Sequence, residues 1–279
     1  MVPLSPSLSF EAAVDALVSG NAAALSALLA ADPSLVHARS SLHPHRATLL
    51  HYIAANGVED ARQITPPNVV ALAAMLLRAG ADPNALAACY GGECTTLALL
   101  VSSCHPAAAG LQSQLVDTLV DYGASVEACG HGAWTSPLLT ALAFGYLDAA
   151  QTLVRRGARV TSLAAAAGLG LLAESQQLLD AADDETRHRA FALAAQNGHA
   201  PIVELLLDAG ADPNRYNPEG NHAHSTPLHQ AALGGHLDVV RLLVRRGASV
   251  DCEDTIHHAT PLSWALHGKQ SAVAAYLQT

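Results

Sequence analysis

The chain has 279 residues and a formal charge of −10, from 14 basic and 24 acidic residues with histidine neutral. Nucleic-acid affinity depends largely on neutralising phosphates, and no basic run exceeds the pairs Arg155-Arg156 and Arg245-Arg246, which argues against a nucleic acid or an anionic membrane as partner. A hydrophobic fraction of 51% with only 4% aromatics suits closely stacked Ala/Leu helices better than a single large aromatic core.

Residues 1–10 carry no positive charge and no long apolar run, so no signal peptide is expected, and the cytoplasm is the expected location. Cys89, Cys94, Cys104, Cys129 and Cys252 are odd in number and widely spread, as free thiols are. Residues 10–31, with Gly20 in the middle, predict a first helix pair that ends at Asp32-Pro33. A second start follows at Thr48-Leu49-Leu50-His51 and runs to Gly57. About ten residues, Val58 to Pro67, are then inserted before Asn68 opens the next helix, which stops at Gly80-Ala81-Asp82-Pro83-Asn84.

Thr95 opens the third pair, which carries a smaller insertion from Cys104 to Gly110, and Ser136-Pro137-Leu138-Leu139 opens the fourth, which runs to Gly157. Thr161 comes only four positions after Gly157, too few for a two-stranded hairpin. The next pair ends near Asp183, where Asp183 to Arg187 predict a polar turn or a helix extension before Arg189. Asn197-Gly198-His199 and Gly210-Ala211-Asp212-Pro213-Asn214 punctuate the sixth pair.

The clearest unit comes next. Thr226 is a helix N-cap, and Pro227 stands at the first helical position, where its missing N–H costs nothing. Gly234-Gly235 end that helix, and a second one carries the apolar stripe Val239, Val240, Leu242, Leu243 and Val244 up to Gly247. Thr260-Pro261-Leu262-Ser263 starts a last pair. Starts at Thr48, Thr95, Ser136, Thr161, Arg189, Thr226 and Thr260 recur on average about every 35 residues.

Thr226-Pro227-Leu228-His229, with Ala231-Ala232, Gly235-His236 and Gly247-Ala248, resembles an ankyrin repeat, and the partial copies extend that resemblance over nearly the whole chain. It implies an all-α solenoid of about eight helix pairs with short β-hairpin fingers, the fingers missing around repeats 4–6. The expected organisation is one domain over 1–279, with an N-terminal capping repeat (1–46), internal repeats (47–258) and a C-terminal capping repeat (259–279).

The resemblance also implies a protein-interaction scaffold that uses fingers and first helices. His51, His229, His199 and His236 hold family positions and are expected to satisfy local backbone groups. The remaining histidines cluster before helix-pair starts, at the finger edge, and the candidate contact residues there are Tyr90, His131, Trp134, Tyr216, His222, His224 and His258. No cofactor is implied, and no Gly-x-Ser-x-Gly elbow or His-Glu-x-x-His helix occurs, so a non-enzymatic reading comes first. The alternative is a small-molecule or metal-binding enzyme or sensor at the finger gap, flanked by His131 and Trp134 on one side and Tyr216, His222 and His224 on the other. On an extended strand His222 and His224 would share a side and chelate one ion, as would His43 and His45.

Overall fold

A helix start leaves four N–H groups unpaired, and a Thr, Ser or Asp oxygen placed before it can accept one of them. Thr95, Ser136, Ser162, Asp183 and Thr260 do this, each accepting from the backbone N–H three residues on. At Thr48 and Thr226 a histidine completes the cap. His51 Nδ1 and His229 Nδ1 each accept the threonine N–H at 3.2 Å and lie 2.9 and 2.8 Å from its hydroxyl.

In the structure, a computed structural model, residues 6–128, 130–131 and 136–278 are described. Among them the helices pair in chain order. They are α1 (Pro6–Val18) with α2 (Ala22–Ala31), a 3-10 helix (Leu49–Ala54) with α3 (Val69–Arg78), and α4 (Thr96–Leu100), with the short α5 (Cys104–Ala108), leading to α6 (Gln112–Asp121). Next come α7 (Pro137–Ala143) with α8 (Leu147–Arg155), and α9 (Leu163–Leu169) with α10 (Leu172–Leu179). The last three pairs are α11 (Asp184–Gln196) with α12 (Ala200–Asp208), α13 (Pro227–Gly234) with α14 (Leu237–Arg245), and α15 (Pro261–His267) with α16 (Ser271–Leu277). The architecture is all-α, as the sequence predicts.

These elements form two compact units: the chain up to Ala141 with Asp148–Arg159, and Leu142–Leu147 with the chain from Val160 onward. In the first unit α1 packs on the 3-10 helix, which packs in turn on α4, while α3 packs on α6. In the second, the first helices form one row, α9, α11, α13 and α15, and the second helices form another, α10, α12, α14 and α16. Between the rows lie Leu163, Phe191, Ile202, Leu206, Leu228, Val239, Leu243 and Val273, all buried. Ala190, Ala194, Ala195, Ala231 and Ala232 line the first row, and their small side chains let neighbouring helices approach. Imidazoles join successive pairs through Nε2, with His199 on Gly168 O at 3.0 Å, His236 on Gln196 O at 2.9 Å and His229 on Ala259 O at 3.0 Å.

The fingers differ from expectation in detail. One sheet is present among the described residues: β1 (Leu86–Cys89), β2 (Gly92–Thr95) and the two-residue β3 (Gly130–His131), antiparallel in that order. The turn between β1 and β2 is Tyr90-Gly91, at φ 53 and 77, the positive values that a two-residue hairpin turn requires, so Gly92 belongs to the strand. As expected, no strand stands between α8 and α9 or between α10 and α11. The segment before Arg189 is a helix extension that starts at Asp184.

The two later fingers, after α12 and α14, hold no strands among the described residues, where the sequence reading expected hairpins. In the first, the bond from Asn217 N to Ser225 O (2.9 Å) closes a loop that contains Pro218 and Gly220. In the second, the Asp254 carboxylate takes the amides that a ladder would otherwise pair.

The two Gly-Ala-Asp-Pro-Asn junctions have a common mechanism. Asp82 and Asp212 each accept the N–H of the asparagine two residues on, at 2.9 Å. Asn84 then bridges to the following repeat, donating to Gly123 O (2.9 Å) and accepting from Ser125 N (2.8 Å), and Asn214 does the same with Gly247 O (2.9 Å) and Ser249 N (2.8 Å). Replacing Asn214 with Ala is expected to cost about 1–1.5 kcal/mol in a urea melt, since two bonds are lost at a solvent-accessible position. An unchanged midpoint would remove the bridge from the list of stabilising contacts.

Candidate functional site

In the first unit the finger edge starts with the loop before Thr48. Arg39 Nη1 ties it to Leu86 O at 2.5 Å and to Arg46 O at 3.0 Å, and Ala88 N donates to His45 O at 2.8 Å, so this loop extends the edge of β1. At the tips Leu42 is 64% exposed and Tyr90 62%. The Tyr90 hydroxyl is bonded to Asn56 Oδ1, which fixes the ring direction. Gly130 and His131 pair with Cys94 and Glu93 in the sheet. The side chain of His131 and the whole of Trp134 lie outside the described residues, and with them one wall of the expected gap.

The second unit brings several predicted residues together. Tyr216 donates its hydroxyl to Glu253 O at 2.6 Å, 3.5 Å from Cys252 Sγ, so it staples two successive fingers. His258, exposed and at φ 51, lies 3.6 Å from the Glu253 carboxylate. His222 sits at φ 59, in a turn rather than an extended strand, and its Nε2 is 2.8 Å from Ala143 O. Burial pushes its pKa down, which keeps the ring neutral.

The His222 and His224 rings meet edge to face at 6.0 Å instead of side by side. They form the middle of an aromatic ribbon in which Phe144 is 5.8 Å from His222, and Trp264 is 5.7 Å from His224 and 5.3 Å from His229. Phe144 and Trp264 lie outside the fingers, on the helix pairs, and are not among the finger-edge candidates. Trp264 is four residues after Thr260 and so shares its helix face, a signal that was readable.

Where three metal-ligating side chains converge, among the described residues, the group is His43, His45 and Glu59, whose ligand atoms lie within 4.8 Å of one another. His222 and His224 do not belong to such a group. Glu59 comes from the insertion, and no sequence spacing connects it with His43.

Residues 191–278 match the family model described as ankyrin repeats (3 copies). Over 121 residues the chain is 36% identical to cyclin-dependent kinase 4 inhibitor B from Homo sapiens, an alignment that covers 42% of this chain and 85% of that protein. This chain belongs to the ankyrin-repeat family. Larger ankyrin-repeat proteins are also similar to it. Ankyrin repeat and KH domain-containing protein mask-1 from Caenorhabditis elegans is 31% identical over 60% of this chain, which spans 6% of its length. Ankyrin repeat and SAM domain-containing protein 6 from Danio rerio is 33% identical over 51% of this chain, which spans 21% of its length. Among the described residues no helix of this ankyrin chain is long and apolar enough to cross a membrane.

Proposed function

We propose that this ankyrin array is a cytoplasmic scaffold that binds another protein through its finger tips and the adjoining first helices. The observation that carries the reading is at the tips, where the fold leaves Leu42, Tyr90 and Ile256 60% or more exposed. Large apolar groups held in solvent by tied loops are the usual anchors of an interface, and aromatic ones dominate its energy. The contact residues proposed are Tyr90, His131, Trp134, Tyr216, His222, His224 and His258. One relative supports the class of partner, since cyclin-dependent kinase 4 inhibitor B is named for acting on a protein, and this chain spans 85% of it. The free thiols of Cys89, Cys94, Cys104 and Cys252 fit a reducing compartment.

The test is capture of partners on immobilised wild type and on a Tyr90→Ser/His224→Ala/His258→Ala variant of unchanged circular dichroism. The triple variant is expected to weaken the captured complex by about 10-fold or more. Equal capture by both would remove the finger edge as the binding face.

A further inference from the structure

The insertion between Gly57 and Asn68 is not idle length. Its 3-10 turn, Asp60–Arg62, lies on α1, where Arg62 pairs with Glu11 and, at 2.8 Å, with Asp15. Glu59 reaches in the opposite direction, to the first finger loop, with Oε1 2.7 Å from His43 Nε2 and Oε2 3.4 Å from His45 Nε2. The two imidazoles stack with centroids 5.4 Å apart and planes 10° from parallel. The Tyr52 hydroxyl donates to Glu59 Oε1 at 3.3 Å.

Two independent observations point to a missing ligand. Glu11 Oε1 is buried without a hydrogen-bond partner, and His45 Nε2, on a nine-tenths-buried ring, and Glu59 Oε2 face only each other, at 3.4 Å and outside good hydrogen-bond geometry. Folded proteins leave few such atoms, and here three occur in one cluster. The charges also fail to balance, because the largely buried Glu11 and Glu59 share the single guanidinium of Arg62, which the solvated Asp15 contacts as well, and one buried negative charge is left over.

We propose that His43, His45 and Glu59 bind one divalent transition-metal ion of the zinc type. Two imidazoles and a carboxylate within 4.8 Å of one another match the donor set that zinc accepts with its fourth position open, whereas calcium and magnesium prefer oxygen alone. A bound cation offsets the buried negative charge that is left over. Arg62, 3.4 Å from Glu59 Oε1, and the Tyr52 hydroxyl both engage that oxygen and leave Oε2 as the coordinating one.

Binding requires both imidazoles to change tautomer. His43 Nε2, 2.7 Å from Glu59 Oε1, holds its hydrogen toward that oxygen, so it gives that proton to solvent and takes one up on Nδ1 to offer Nε2 to the ion. His45 Nδ1 accepts the Ala47 N–H at 3.0 Å, so the neutral ring carries its hydrogen on Nε2. The ion takes the Nε2 lone pair, that proton passes to solvent, and Nδ1 takes one up, so the imidazole stays neutral and the Ala47 N–H turns away. The segment that yields is the exposed turn ending at Arg46, which is held at φ 49. This site does not depend on the interaction reading above.

The test uses the untagged, metal-stripped chain titrated with cobalt(II) and followed by its visible absorption, then back-titrated with zinc(II). Wild type is expected to take up one cobalt ion per chain, release it to zinc and shift the Ala47 amide resonance. Glu59→Gln and His43→Ala, checked for unchanged helical dichroism, are expected to bind at least about 10-fold more weakly, while His222→Ala/His224→Ala binds like wild type. The proposal is overturned if wild type takes up no ion at about 100 µM, if Glu59→Gln and His43→Ala bind undiminished, or if the His222/His224 variant is the one that loses the ion.

Discussion

Lowering the pH from 7 to 4 is expected to destabilise this protein, with the loss beginning above the carboxylate range. His51 is fully buried, and desolvation lowers its pKa from 6.5 to about 4. A group whose folded-state pKa is depressed contributes stability that is present above the unfolded value and is lost as pH falls through the folded one. For His51 that window runs from 6.5 down to about 4 and is worth about 3 kcal/mol. Burial also holds His188, His199, His222, His229 and His236 below their ordinary values, so the second unit loses stability in the same direction. The measurement is urea-unfolding free energy against pH for wild type and His51→Gln. The variant is expected to start lower at pH 7, lacking the Thr48 cap, and to fall less steeply. A wild-type profile that stays flat from pH 6.5 to 4.5 would refute the assignment of neutral, buried imidazoles.

Asp254→Ala is expected to cost about 3 kcal/mol and to loosen the last finger. The carboxylate is fully buried and accepts four N–H groups, those of Ile256 at 3.0 Å, His257 at 2.7 Å and Ala259 at 3.1 Å, and the Trp264 indole at 3.0 Å. Bonds to an ionised acceptor are stronger than neutral ones, and together they hold the Asp254 pKa well below the carboxylate range. This contribution is therefore complete above about pH 4 and is lost only in stronger acid, below the histidine window. Because Trp264 carries one end of the aromatic ribbon, the same variant is expected to change near-ultraviolet dichroism and tryptophan emission. Asp254→Asn, which keeps an acceptor but not the charge, should fall between Ala and wild type. Stability equal to wild type in Asp254→Ala would mean that the loop is held by its backbone bonds alone.

The all-α repeat architecture was legible because its causes are local. A threonine or serine before Pro-Leu, a glycine about two turns on and a second apolar stripe each act within a few residues, and the caps at Thr48, Thr95, Ser136, Thr226 and Thr260 stand where the sequence placed them. The start written at Thr161 moved by one residue to Ser162. The one at Arg189 moved back to Asp183, because an acidic N-cap let the helix run through a stretch with no glycine or proline. The absent fingers on either side of α9 and α10 were legible from chain length alone, since a step of four positions cannot hold two strands.

The sequence by itself determined the helix pairs, their period, the structural histidines at His51, His199, His229 and His236, and the family. Tertiary structure alone decided how the loops use their side chains. His222 left the extended conformation because its ring has a carbonyl to bond, Ala143 O, 79 positions earlier in the chain. Asp254 replaced a hairpin because one buried carboxylate can pair three amides that no neighbouring strand was there to take. Glu59 joined His43 and His45 because Arg62, 3 residues further on, is drawn onto the acids of α1 and carries the insertion with it. For His222 and for the insertion the deciding partner is distant in sequence, and local propensity and spacing carry no information about such a contact. For Asp254 the partners are near in sequence, and what decided was the burial of the carboxylate.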